Sequence, residues 1–204
     1  MAIEEIDLYK LKADEIENYL PTDKSPPEGY KKWGEFAQAL VEGKVKATSC
    51  TKIDNGMAEV MDAVLSIGIR LPESDPMQQK VPQPLLEFNH PDESSPILIT
   101  SNSIITHQIL KLVLETAKVK AFVIPVDTNG YTLDNAVVAG AFSPMEVMKA
   151  LTNSGITDKT SCRRAMLPGL AKDLKNGIER VTRWTYEIGP VSIFELPLYL
   201  KVNC

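Results

Sequence analysis

Hydrophobic positions in the second half of the chain alternate between short apolar runs and longer stretches with helical spacing. The predicted strands are residues 97–100, 120–126, 163–168 and 184–188. The predicted helices between and around them are residues 106–120, 143–154 and 169–178. Repeated alternation of this kind predicts an α/β, Rossmann-like fold, with a mostly parallel sheet and helices on both faces.

The first half of the chain shows helical spacing without strand-like runs. Helices are predicted at residues 5–20, 32–42 and 57–67, and Gly43 is placed to end the second of them. Six prolines in residues 71–96 indicate a linker or a wrapped loop. The predicted organisation is a small helical region over 1–55, a helix and Pro-rich linker over 56–95, and an α/β domain over 96–204.

Composition narrows the function classes. A net charge of −5 argues against nucleic-acid binding, which needs a basic surface. No apolar run reaches the ~18 residues that span a bilayer, and the start MAIEEIDLYK is acidic where a signal peptide is basic. The three cysteines are too few and too scattered for a disulfide framework, so we expect a cytoplasmic protein.

Several familiar catalytic motifs are absent from the sequence. It contains no G-x-G-x-x-G, no G-x-x-x-x-G-K-[ST] and no G-x-S-x-G, and its only histidines are His90 and His107. A dinucleotide site, a phosphate loop, a serine-hydrolase elbow and a His-rich metal site are therefore all disfavoured. An enzyme of unrelated chemistry would need a convergent acid, base and nucleophile, which the pattern does not show.

Small and polar residues follow each of the four predicted strands. Ligands of open α/β sheets bind at the carboxyl ends of the strands, so these residues are the candidate site. They are Thr100, Ser101, Asn102, Asp127, Thr128, Gly130, Pro168, Gly169, Gly189 and Pro190. A broad surface lined with amides would suit a flat macrocycle with amide arms. The same residue types are common in ordinary turns, and pattern alone favours turns.

The segments PILITSNSIITHQ, VDTNGYTLDNAVVAGAF, SGITDKTSCRRAMLPG and WTYEIGPVSIFELPLYL decide between these alternatives. In order and spacing, residues 96–199 resemble the C-terminal cobalamin-binding domain of the large (gamma) subunit of the corrinoid/iron–sulfur protein. That protein is the methyl carrier of CO dehydrogenase/acetyl-CoA synthase. The resemblance implies that Asp127, Thr128 and Gly130 face the corrin, and that residues 131–142 lie under its lower face.

The same resemblance implies an axial environment for cobalt. Asn135 matches the family's threonine below the metal, and Ala139 and Gly140 follow it in the segment. We expect a base-off corrinoid with no protein nitrogen on cobalt. His107 is the competing candidate, but its helical position among apolar neighbours favours a packed or surface histidine. The family's charged GPRE turn reads GPVS here, which puts that one contact in doubt.

A second resemblance covers residues 20–50, LPTDKSPPEGYKKWGEFAQALVEGKVKATSC. They are similar to the family's iron–sulfur segment, whose four cysteines correspond to Ser25, Glu28, Trp33 and Cys50. A [4Fe–4S] cluster is held by four thiolates, and one remains here. We therefore predict no cluster, with the Trp33 indole filling its space. An ordinary amphipathic helix at 30–45 is the alternative. The barrel that lies between the two segments in the family is missing.

Two functions follow from the resemblance. The first is a corrinoid-binding, methyl-carrier-like protein that works with a methyltransferase or a corrinoid-protein subunit, without nucleic acid or membrane. The alternative is a non-catalytic partner, assembly factor or corrinoid-handling factor of anaerobic one-carbon metabolism that binds no cofactor.

Overall fold

The computed structural model describes residues 11–68 and 77–203, which divide into two compact units. The first unit contains residues 11–68 together with Phe194–Asn203, and the second contains residues 77–193. The acidic start MAIEEIDLYK, which includes residues 5–10 of the helix predicted at 5–20, and part of the predicted linker lie outside the described residues. The domain boundaries proposed from the sequence stay a prediction.

The first unit is helical. Helices α1 (Ala13–Glu17), α2 (Trp33–Val41) and α3 (Asn55–Leu65) are joined by a 3-10 turn at Ala47–Ser49, and a C-terminal helix spans Leu196–Asn203. The helices predicted at 32–42 and 57–67 are confirmed. Gly43, with a φ of 68°, stands just beyond the end of α2, where a residue without a Cβ adopts the left-handed conformation most easily.

The second unit is built on a five-stranded sheet. Its strands are β1 (Leu86–Phe88), β2 (Ile97–Ser101), β3 (Ala121–Val126), β4 (Arg164–Leu167) and β5 (Thr185–Ile188). Its helices are α4 (Ile104–Thr116), α5 (Leu133–Val138), α6 (Pro144–Ser154) and α7 (Lys175–Thr182), with a 3-10 segment at Gly169–Leu174 before α7. The four predicted strands and the α/β class are confirmed, whereas β1 and α5 were not predicted.

The strand order is β1-β3-β2-β4-β5, and every pairing is parallel except that of β1 with β3. The chain leaves β2 toward β3 and later returns past β2 to β4. The direction of winding therefore reverses between β2 and β4, which are neighbours in the sheet. In open α/β sheets such a reversal opens a crevice at the carboxyl ends of the strands.

The main core lies on the face of the sheet covered by α5, α6 and α7. Ile99, Ile124 and Leu167 from the strands pack with Phe142 and Ile178 in one buried cluster. The alternate strand residues Leu98 and Val123 point the other way, and α4 buries Leu110, Val113 and Leu114.

Local chemistry accounts for where these elements begin and end. The Ser143 side chain accepts a hydrogen bond from Glu146 N at the start of α6, Pro144 occupies its first position, and Gly155 follows its end with a φ of 65°. Pro125 is tolerated in β3 because the pairing of β1 stops at Val123, so the ladder on that side does not need its missing N–H.

Within residues 11–68 and 77–203, no helix is both long enough and apolar enough to cross a lipid bilayer.

Candidate functional site

Asn102 organises the carboxyl ends of β2 and β3. Its side chain is only 6% exposed. Its Oδ1 accepts hydrogen bonds from Thr128 N, Thr128 Oγ1 and Gly130 N, each at 3.1 Å, and its Nδ2 donates to Asp127 Oδ1 at 2.9 Å. The structure thus brings four of the predicted site residues together. The buried backbone N–H groups of Thr128 and Gly130 donate to Asn102 and are not available to a ligand.

Thr100 and Ser101 immediately precede Asn102 in the chain. Both are buried at the end of β2, in register with Pro125 and Val126 of β3. They therefore fix the position of Asn102 and do not themselves reach the surface of the site.

A segment of the chain formed by residues 77–81 lies against the Asp127–Gly130 turn. Val81 N donates to Asn102 O at 2.8 Å, and Ile104 N donates to Gln79 O at 2.9 Å. A Cβ on Gly130 would collide with Gln78 O, so a glycine is required here both by space and by a φ of 81°. This half of the edge is closed by backbone.

Lys80 joins the same segment to the turn by charge. Its Nζ lies 3.0 Å from Asn129 Oδ1 and 3.3 Å from Asp127 Oδ1. The Asn129 amide, the Asn102 side chain and Lys80 together hold the pKa of Asp127 below its ordinary value. Asp127 is therefore an exposed, ionised carboxylate at the edge of the site.

The other predicted residues meet at the ends of β4 and β5. Gly169 N donates to Pro190 O at 3.0 Å, and Gly189 N donates to Leu167 O at 2.8 Å. Both glycines are buried, and a Cβ on Gly169 would lie 2.8 Å from Val191 Cγ2. Pro168 and Pro190 are half-buried beside them. The two turns are therefore joined by backbone hydrogen bonds, and their role in a ligand site stays a prediction.

Four exposed apolar residues follow β3, β4 and β5, and we define them together as the apolar rim: Val138 and Ala139 at the end of α5, Leu170 in the 3-10 segment, and Val191 after β5. Val138 is 90% exposed, Val191 is 64% exposed and Leu170 is 40% exposed. Ala139 is exposed as well, and α5 packs against the 3-10 segment that carries Leu170. An apolar surface that solvent reaches at the carboxyl ends of three successive strands is a candidate ligand contact.

Two further predicted residues border the apolar rim. Asn135 is exposed on α5, and its Nδ2 donates to Thr132 Oγ1 at 3.0 Å, so its Oδ1 faces solvent. Gly140 is exposed, has a φ of 70°, and would have open space around an added Cβ. Both can approach a ligand lying on the rim.

His107 does not border this surface. It is 5% exposed on α4, and its Nε2 lies 2.8 Å from Ser101 O. Because a carbonyl only accepts, Nε2 carries the proton, and burial lowers the pKa of the ring. Its Nδ1 is buried, and none of the residues 11–68 and 77–203 forms a hydrogen bond with it. His107 is a packed, neutral histidine, as the favoured interpretation predicted.

The four predicted cluster positions lie in the first unit. Trp33 is buried and donates from Nε1 to Lys24 O at 2.7 Å, and Cys50 is a buried free thiol. Ser25 and Glu28 are exposed. In the ranges that the structure describes, no group of three His, Cys, Asp or Glu side chains is arranged to hold a metal ion.

Comparison with known proteins gives the family. Residues 32–199 match the family described as CO dehydrogenase/acetyl-CoA synthase delta subunit. The chain belongs to this family. The predicted relationship to the proteins of this complex is confirmed, while the cofactor that the resemblance implies stays a prediction.

Curated relatives carry related names. The acetyl-CoA decarbonylase/synthase complex gamma subunits of Methanopyrus kandleri and Methanocaldococcus jannaschii are 33% and 30% identical over 129 and 131 residues. The corrinoid/iron–sulfur protein large subunit of Moorella thermoacetica is 24% identical over 124 residues. These alignments cover 63%, 64% and 61% of this chain but only 28%, 27% and 28% of the relatives. The chain therefore spans less than a third of their length.

Sequence reasoning missed Lys80, Gln78 and three residues of the apolar rim, namely Val138, Leu170 and Val191, whereas Ala139 was among the predicted site residues. Lys80 and Gln78 lie in a Pro-rich stretch without periodicity, so no local signal marks them. The sequence gives a weak signal for Val138, because this residue lies beside Ala139 and Gly140 in a run without polar residues.

Proposed function

We propose that the second unit binds a corrinoid at the carboxyl edge of its sheet and serves as a methyl-carrier-like module of the acetyl-CoA pathway. The observation that supports this most directly is the exposed apolar rim beside the predicted strand-tip residues, in a sheet whose strand order reverses between β2 and β4. The names of the relatives, which include a corrinoid/iron–sulfur protein, supply the ligand class.

The residues present suit such a ligand. A corrin presents an apolar ring surrounded by amide arms. Val138 and Val191 offer apolar contact, while Gly140 leaves room for close approach to the backbone. The Asp127 carboxylate would accept hydrogen bonds from amide arms at the margin. When bound, the corrinoid would supply the cobalt that accepts and releases a methyl group.

The chain's own contribution is to hold and orient that ring. His107 is buried and its Nε2 is engaged with Ser101 O, so this imidazole is not offered to the rim. The Oδ1 of Asn135 would face the lower side of the ring. An amide oxygen can accept a hydrogen bond from a water there, and it is a weak ligand for cobalt. A base-off cofactor without a protein nitrogen on cobalt is consistent with this arrangement.

Binding of hydroxocobalamin to the purified protein tests the proposal. We expect a shift in the absorption spectrum and retention of the corrinoid on desalting. Val138→Glu should abolish retention, because a charge placed on the rim opposes contact with the ring. Val202→Glu changes a valine that is 60% exposed in the other unit, so it should retain the corrinoid. Equal retention by the two variants would contradict the location, and no retention by the unchanged protein would contradict the function.

A second function is supported by a specific observation. The amides of Thr128 and Gly130 are consumed by Asn102, so an apolar protein surface could occupy the rim without any corrinoid. The chain would then be a non-catalytic subunit or assembly factor of the same complex. Capture of a methyltransferase or corrinoid-protein subunit by the chain alone, lost in Val138→Glu and unaffected by added cobalamin, would favour this alternative.

A further inference from the structure

The loop at residues 24–33, where the family resemblance places three of its four cluster cysteines, is organised by side-chain donors. The Lys52 Nζ lies 3.0 Å from Ser25 O, 3.1 Å from Ser25 Oγ and 2.8 Å from Pro26 O. An ammonium group has three N–H donors, and here each has an oxygen acceptor. Together with the Trp33 bond to Lys24 O, three consecutive carbonyls are bound by side chains.

The polarity of this loop is opposite to what an iron–sulfur cluster needs. Four thiolates make a cluster site negative, and protein N–H groups donate to its sulfurs. At Ser25 and Pro26 the chain turns carbonyl oxygens toward a positive charge. The residues present therefore do not fit a [4Fe–4S] cluster, and the reason extends beyond the missing cysteines.

The region before Cys50 is held by a side-chain acceptor, whereas the 24–33 loop is held by side-chain donors. The Asp62 carboxylate on α3 accepts hydrogen bonds from Ala47 N at 2.6 Å, Thr48 N at 3.2 Å and Thr48 Oγ1 at 2.6 Å. These bonds cap the 3-10 turn that leads into Cys50. Cys50 itself is buried, so its thiol packs in the core of the unit.

We infer that the Lys52 ammonium replaces an inorganic cluster as the organiser of the 24–33 loop, so that the first unit folds without iron. Lys52 supplies the charge and the donors that fix the Ser25–Pro26 backbone, and Asp62 fixes the approach to Cys50. This inference concerns the first unit and does not depend on corrinoid binding by the second.

Hydrogen exchange in the full chain tests the role of Lys52. Lys52→Met should speed exchange of the 22–33 segment several-fold, while Lys52→Arg, which keeps charge and donors, should stay close to the unchanged protein. Lys46 is an exposed lysine of the same unit, so Lys46→Met is the matched control and should have no effect. Ethylammonium chloride should slow exchange in Lys52→Ala, and tetramethylammonium chloride, which has no N–H, should not.

Anaerobic incubation of the unchanged protein with ferrous iron, sulfide and a thiol reductant provides an independent test. We expect substoichiometric iron and sulfide after desalting. Stoichiometric iron and acid-labile sulfide would overturn the inference, and so would identical exchange in Lys52→Met and Lys46→Met. If Lys52→Met does not fold while Lys52→Arg does, the charge and donors of Lys52 are required, as inferred.

Discussion

Asn102→Ala should be among the most destabilising single substitutions at the candidate site. The side chain of Asn102 is the acceptor for the backbone N–H groups of Thr128 and Gly130, both of which are buried. Alanine removes that acceptor and leaves both N–H groups without their partner. The Thr128 hydroxyl keeps a partner, because Tyr131 O lies 3.0 Å away.

The expected magnitude follows from the two orphaned donors. A buried donor left without an acceptor costs about 1–3 kcal/mol, so the two amides together cost about 2–6 kcal/mol. Loss of the bond to Asp127 adds little, because that carboxylate is exposed and water replaces the amide. A whole domain is stable by only about 5–15 kcal/mol, so the variant should lose a large fraction of its stability.

Urea unfolding followed by circular dichroism measures the effect. The unfolding midpoint should fall while the slope m stays constant, because the surface exposed on unfolding is unchanged. Asn135→Ala is the matched control: this asparagine is exposed on α5 and its side chain donates to Thr132 Oγ1, so the change should stay within about 0.5 kcal/mol. An Asn102→Ala midpoint equal to that of Asn135→Ala would refute the assigned role of the Asn102 side chain.

Two other substitutions test the same edge of the sheet. In urea unfolding, Gly130→Ala should destabilise the protein by several kcal/mol more than Gly140→Ala. Both positions have a positive φ, so an alanine at either one costs about 1–2 kcal/mol of backbone strain. Of the two, Gly130 is the one that faces the Gln78 carbonyl, with which the added Cβ would collide. Equal costs would show that residues 77–81 do not seal the turn. Stability should also fall as pH drops below 6.5, the ordinary pKa of histidine, because His107 has a lowered pKa when folded and the unfolded chain binds the extra proton. In His107→Gln the urea midpoint should vary less with pH between about pH 7.5 and 5.5. A pH dependence equal to that of the unchanged protein would contradict the role assigned to His107.

The sheet of the second unit was predictable because its signals are local. Residues 97–100 and 120–126 are apolar on both faces, as central parallel strands must be, and the Ser143-Pro144 start of α6 is a capping pattern that needs no tertiary information. The position of the candidate site followed from the same pattern, since the carboxyl ends of parallel strands meet at one edge.

The elements that were missed depend on contacts distant in sequence. Strand β1 has three residues in a Pro-rich stretch, and only its pairing with β3 makes it a strand. Asn89, just after it, donates to Leu114 O and Val119 O and so ties the end of α4 to the following loop. Residues 77–81 likewise acquire their conformation from Asn102 and Ile104. Periodicity carries no information about such partners.

The two halves of the carboxyl edge differ in what they offer a ligand. At β2 and β3 the buried amides of Thr128 and Gly130 are bound by Asn102, and residues 77–81 cover the backbone of the turn. At β4, β5 and α5 the surface is apolar and exposed. Affinity at this edge must therefore come from burial of the apolar rim, at about 25 cal/mol per Å² of apolar surface removed from water, with hydrogen bonds limited to the margin. A broad ring with polar groups at its periphery satisfies both conditions, whereas a small anion would find the amides of Thr128 and Gly130 already bound by Asn102.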